Sequence, residues 1–133
     1  MEKEKLNFNR ILLKISGEVL SGDKKFGIDP ALTQKISKKI QVLHNLNIQI
    51  GIVIGGGNIF RGMSVSEQGM DRVPADYLGM MATLMNSVAL QSELEKLGCD
   101  TRVMSALSVT QLAEPYIRRR ATRHLEKNRI VIF

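Results

Sequence analysis

The sequence predicts an α/β fold in which a parallel β-sheet is sandwiched between helices. Three observations predict it. Short apolar runs, rich in isoleucine and valine, alternate with stretches of helical periodicity. The connections between successive runs are of helix length, which calls for parallel strands and right-handed crossovers. A run of three glycines falls directly behind one apolar run, at the carboxyl end of a strand, where such sheets place their ligands.

Each element follows in order. Residues 1–8 alternate charge and read as a flexible, solvated lead-in. Residues 10–15 place Ile11, Leu13 and Ile15 on one face and Leu12 with Lys14 on the other. Apolar residues on both faces predict a buried strand. Gly17, Gly22 and Gly27 punctuate a turn-rich segment. Asp29-Pro30 then supplies an N-cap followed by proline at the first helical position. Leu32, Ile36, Ile40, Leu43 and Leu46 continue as an amphipathic helix. Residues 48–54 form a second strand, stopped by Gly55, Gly56, Gly57 and Asn58, and residues 59–74 are loop-like. A long helix is expected to open at Pro74 and to stop at Gly98. Residues 101–104 are a third strand, 109–113 a turn or short helix, 117–127 a helix and 129–133 the start of a fourth apolar strand. No loop follows that strand, so the sequence reads as the N-terminal portion of something longer.

Composition narrows the function. With 133 residues, 44% hydrophobic and 24% charged, the chain has the make-up of a globular domain. Its longest mostly apolar run, residues 75–92, is interrupted by Asp76, Asn86 and Gln91, so no membrane span is expected. A lone cysteine, Cys99, cannot form an internal disulfide, and the default address is the cytoplasm. The net charge of +6 is concentrated at one end: residues 1–116 carry 13 Lys+Arg against 12 Asp+Glu, residues 117–133 carry 6 against 1. One short cluster rather than a basic stripe disfavours general nucleic-acid binding.

Several chemistries lack their residues. No Gly-x4-Gly-Lys-Ser/Thr pattern occurs, position 60 is Phe where a dinucleotide fingerprint needs glycine, and neither His44 nor His124 has a metal-ligand partner at a suitable spacing. What stands out is the glycine run. Three glycines at a strand end let backbone N–H groups approach an anion and can form a nest around it. Arg61 adds a forked donor to the same phosphate oxygens. Lys14, at the end of an apolar strand and followed by Ser16-Gly17, brings an ammonium to the ligand edge; a snorkelling edge-strand lysine is the alternative. Asp76 is either a first-turn carboxylate favoured by the helix dipole or an acceptor for sugar hydroxyls. The long helix is apolar on more than one face, which points to a subunit interface.

These residues resemble a known family. The stretches RILLKISGE at positions 10–18, FGID at 26–29 and VIGGGNIFRG at 53–62 are similar to the UMP-kinase branch of the amino-acid kinase superfamily, as are DYLGMMATLMN at 76–86 and AEPYIRRR at 113–120. The resemblance covers residues 9–133. It implies an α/β/α sandwich of the amino-acid kinase type, truncated after an apolar strand, with the C-terminal, ATP-binding half absent and the fragment itself without turnover. The reaction it implies is phosphoryl transfer from ATP to UMP, giving UDP and ADP in pyrimidine and CTP biosynthesis. Lys14, Ile15, Ser16 and Gly17 would line the ATP phosphates, with Gly57 and Arg61 on the same side; Lys14 and Arg61 would be catalytic. Gly56 and Asp76 would bind UMP. Mg²⁺ would be held through the nucleotide phosphates, with no protein metal site.

The resemblance further implies a homohexamer controlled by a GTP activator and a UTP inhibitor. Candidates for the GTP site are Gly22, Asp23, Lys24, Lys25, Phe26 and Gly27, together with Arg102, Arg118 and Arg129. The arginines are expected to gather near one end of the sheet, in keeping with the fit of guanidinium forks to phosphate. Two other classes compete with the kinase: a binding-only nucleotide module built on the same glycine loop, and a nucleic-acid regulator using the C-terminal arginines. Another superfamily member, phosphorylating carbamate or an amino acid, is the alternative enzyme.

Overall fold

The computed structural model describes residues 7–60 and 68–133. Strand β1 (Arg10–Ile15) leads through two 3-10 turns (Gly17–Leu20 and Gly22–Lys24) to helix α1 (Pro30–Asn45) and strand β2 (Gln49–Ile54). Helix α2 (Arg72–Lys96), β3 (Thr101–Ser105), β4 (Glu114–Pro115), α3 (Arg118–Glu126) and β5 (Ile130–Ile132) complete the order. All pairings are parallel, in the spatial order β1-β2-β5-β3-β4. Every strand therefore ends on the same edge of the sheet.

The period-two pattern divides the sheet into two unlike faces. Ile50, Ile52 and Ile54 of β2 share one core with Val103, Ile130 and Ile132, and Ile40, Leu90 and Leu94 of α1 and α2 cover it. On the other face, α3 packs Ala121 and Leu125 on Met104 and Val131. A nine-residue helix is only about 13 Å long, and α3 sits over the middle of the sheet. The expectation of a strand buried on both faces at 10–15 is corrected on this point. In the structure β1 is an edge strand, with Leu12 61% exposed and Lys14 exposed beside it.

Helix ends follow local chemistry. Asp29 accepts from the N–H groups of Ala31 and Leu32 and caps α1 as expected. Helix α2 opens at Arg72, ahead of Pro74, because a proline in the first turn forfeits no intrahelical bond. It stops at Gly98: the Cys99 N–H reaches back to Leu94 and that of Gly98 to Glu95. Residues 109–113 form a turn, and the two-residue β4 that follows was not foreseen. Apolar side chains do occupy two faces of α2: Leu84 and Leu90 are buried, while Tyr77, Met81 and Met85, four residues apart, are more than half exposed.

Candidate phosphate-binding edge

The pairing of β1 with β2 builds the site. Lys14 is in register with Val53 and Ile15 with Ile54, and the Gly55 N–H donates to the Ile15 carbonyl at 2.9 Å. The two loops thus leave the sheet side by side. A Cβ on Gly17 would lie 2.4 Å from Asn58 Oδ1 and 2.6 Å from the Gly55 carbonyl oxygen, so only glycine allows this approach. Gly56 meets α2 as closely: its Cβ would stand 2.8 Å from Ala82 Cβ and 3.0 Å from the Thr83 nitrogen.

This packing corrects the reason for the glycine run. None of residues 55–57 has positive φ, so the alternating right- and left-handed nest is not formed. Within the run, Gly56 is demanded by close packing against Ala82 and Thr83, and the chain turns there, with the Gly56 carbonyl accepting from Ile59 and Phe60. Ser16 accepts from the Glu18 N–H and caps the 3-10 turn that starts at Gly17. Lys14 lies on the open face of the sheet, in line with Leu12.

Beyond the carboxyl ends of β2, β3 and β5 lies a cavity of about 520 Å³, lined by Val53, Met80, Thr83, Ser105, Tyr116 and Phe133 among others. That is room for a nucleoside-sized ligand. Val53, beside Lys14, and Thr83, against Gly56, join the cavity to the glycine edge. Asp76 is exposed and lies one residue past the first turn of α2, where Arg72 Nε donates to both its carboxylate oxygens at 3.1 and 3.3 Å. Arg61 lies outside the described residues, as do residues 1–6 of the expected lead-in.

Residues 22–27 are brought against the same edge. The Gly27 N–H donates to the Asn58 carbonyl at 2.8 Å, and Asn58 Nδ2 donates to the Gly27 carbonyl at 2.9 Å. Lys24 Nζ stands 3.5 Å from Asp29; Phe26 is exposed. The arginines divide. Arg102 and Arg129 meet on the two oxygens of Asp100, at the amino ends of the strands. Arg118 is exposed and opens α3, on the opposite side of that helix. The expectation of a single cluster fails because a whole helix separates them. Glu114 pairs with the buried His124, Nε2 lying 2.8 Å from its carboxylate, while Arg129 stands 3.2 Å from His124 Nδ1.

Sequence reasoning missed Asn86, which is fully buried in α2 and pairs with Asn58. Its signal was a carboxamide inside an apolar helical run.

A parallel sheet with helices on both faces, glycine-bound loops on one edge and a cavity beside them defines an α/β protein of the amino-acid kinase fold. The chain belongs to the amino acid kinase family, whose model matches residues 9–133. It is 56% identical over 126 residues to the uridylate kinase of Roseobacter denitrificans (strain ATCC 33942 / OCh 114), covering 95% of this chain and 52% of that one. Among solved structures it resembles UMP kinase from Bacillus anthracis, with a TM-score of 0.89 and 40% identity over 95% of this chain and 52% of the other. UMP kinase from Ureaplasma parvum gives 0.87 and 34%, over 96% and 54%. The chain spans about half the length of the relatives it matches.

Proposed function

We propose that these residues form the N-terminal portion of a UMP kinase, transferring the γ-phosphoryl group of ATP to UMP to give ADP and UDP in pyrimidine and CTP biosynthesis. One observation carries the reading: the β1–β2 register sets Lys14 beside Val53 and Gly17 beside Gly55, at the edge of the sheet that carries a nucleoside-sized cavity. The 56% identity to a uridylate kinase supports the choice of UMP over carbamate or an amino acid.

In this reading Lys14 neutralises charge on the transferring phosphoryl group, and Ile15, Ser16, Gly17 and Gly57 line the ATP phosphates with Arg61. The Gly56 N–H and Asp76 hold UMP, and Arg72 keeps the Asp76 carboxylate aimed. Catalysis then consists of positioning and electrostatic stabilisation. Mg²⁺ is assigned to the nucleotide phosphates, where it would spread the developing charge.

Regulation and assembly extend the proposal. Residues 22–27 at the carboxyl edge are candidates for a GTP activator site; Arg102 and Arg129, at the amino ends of the strands, and Arg118, at the other end of α3, are candidates only for separate contacts with such an effector. UTP is the expected inhibitor. The Tyr77, Met81 and Met85 stripe suits a subunit interface of a homohexamer. No helix among the described residues is long and apolar enough to cross a membrane, and a cytoplasmic enzyme is proposed.

The test extends this chain with the C-terminal portion of the R. denitrificans relative and measures ADP and UDP formation from ATP and UMP. Saturable, UMP-dependent turnover is expected. Equal turnover with carbamate or an amino acid as acceptor, or none with UMP, overturns the reading.

A further inference from the structure

A buried carboxamide pair lies beneath the glycine edge. Asn58 is 1% exposed and Asn86 is fully buried. Asn58 Nδ2 donates to Asn86 Oδ1 at 3.1 Å, and Asn86 Nδ2 donates back to Asn58 Oδ1 at 2.7 Å. Each amide has a second N–H. That of Asn58 goes to the Gly27 carbonyl at 2.9 Å, and that of Asn86 to the Gly55 carbonyl at 2.7 Å. Both outer partners are carbonyl oxygens, which can only accept, so each side chain must turn its NH₂ outward and its oxygen inward. The ring of bonds is closed and every N–H is used.

Burying two carboxamides is unfavourable unless each finds its partners, and the cost falls on whichever is left alone. Core packing alone would be served as well by two leucines. What an apolar pair cannot do is hold carbonyls. The Gly55 carbonyl is drawn toward Asn86, and because the peptide unit is planar and trans, the Gly56 N–H must point the opposite way. Gly56 cannot rotate freely, since Ala82 and Thr83 stand against its Cα. One helix side chain therefore fixes the direction of one loop N–H.

We infer that Asn86 is a positioning residue for phosphoryl transfer: with Asn58 as its relay, it aims the Gly56 N–H at the acceptor phosphate and ties residues 22–27 to the same loop. The inference rests on the UMP-kinase reading. Nothing in the pair touches substrate. Its action is to keep the loop from choosing among peptide orientations, a freedom that glycines otherwise leave open.

The experiment uses the extended chain with Asn86→Leu, which keeps side-chain size and removes every hydrogen bond. Ser37→Ala serves as a stability control, because Ser37 is fully buried and its hydroxyl donates to the Thr33 carbonyl of its own helix, away from the glycine edge. Misplacing a positioning group by about 1 Å costs on the order of a hundredfold in rate. Asn86→Leu is therefore expected to lower kcat about a hundredfold with the KM for ATP unchanged, while Ser37→Ala keeps its kcat. Amide exchange gives a readout independent of activity: the Gly27 N–H should exchange faster in Asn86→Leu and at the parent rate in Ser37→Ala. A parent without UMP turnover defeats the UMP-kinase reading. With an active parent, an Asn86→Leu kcat within about threefold of it, against the hundredfold expected, or unchanged Gly27 exchange, overturns the inference.

Discussion

The two faces of the sheet are built to different standards. Toward α1 and α2, Ile50, Ile52, Ile54, Ile130 and Ile132 are at most 2% exposed, and two long helices close the layer. Toward α3 the cover is a single short helix, and Leu12 and Val53 remain open beside Lys14. The contrast teaches where rigidity and chemistry lie. The packed face anchors the strand ends, and through Asn86 it reaches up to hold the glycine loop. The open face carries the ammonium, which needs solvent or a ligand around it rather than a core.

The sharpest way to break the comparison is to truncate the same kind of side chain on each face. Ile52 is fully buried in the core, and Ile52→Ala should cost about 2–5 kcal/mol through lost burial and the cavity left behind. Leu12→Ala, on the open face, should shift stability by about 0.5 kcal/mol at most. Denaturant unfolding of the 133-residue chain measures both. Equal losses would mean that the two faces are packed alike.

The next test separates stability from chemistry. Lys14→Ala in the extended chain should lower kcat by about 10²–10³, the effect of deleting one transition-state charge contact, about 2.7–4 kcal/mol. Its melting temperature should hold, because the exposed ammonium has no place in the packed core. An unchanged kcat would make Lys14 a snorkelling residue on an edge strand.

Much of the fold was legible because it follows from short-range pattern. The apolar, β-branched run of β2, the three- and four-residue spacing along α1 and the Asp29-Pro30 cap need only neighbouring residues to be read, and all three recur in the structure. What was illegible depends on partners far along the chain. The exposed face of β1 depends on how far α3 reaches. The two-residue β4 has no periodicity to detect. The glycine run was read as a nest for an anion, whereas Gly56 at its centre is required by contact with Ala82 and Thr83 of a distant helix. Asn58 and Asn86 are 28 residues apart, and nothing local marks them as a pair. Lys14 and Gly56 were found by residue type and by place at a strand end; the β1–β2 register adds that the loops following both strands leave the sheet side by side.

The smallest effect expected concerns the end of the packed face nearest the loops, where Asp29 caps α1. The N–H groups of Leu32 and Ala31 hold the Asp29 carboxyl below its ordinary range; burial opposes them and Lys24 assists. The folded state therefore binds this proton less readily than the unfolded chain, and the unfolded state carries more protons in the acid range. Stability from this group is fully present above the ordinary aspartate range and is lost as pH falls through the lowered value. Asp29→Asn keeps a capping side chain but cannot titrate. At neutral pH the variant and parent should melt at similar temperatures, since asparagine caps about as well as aspartate. Below about pH 4, near the ordinary aspartate pKa, the parent should lose stability more steeply than Asp29→Asn. Melting curves across that range measure the difference. Parallel pH profiles would show that the cap owes nothing to charge, leaving α1 held on the packed face by its apolar stripe alone.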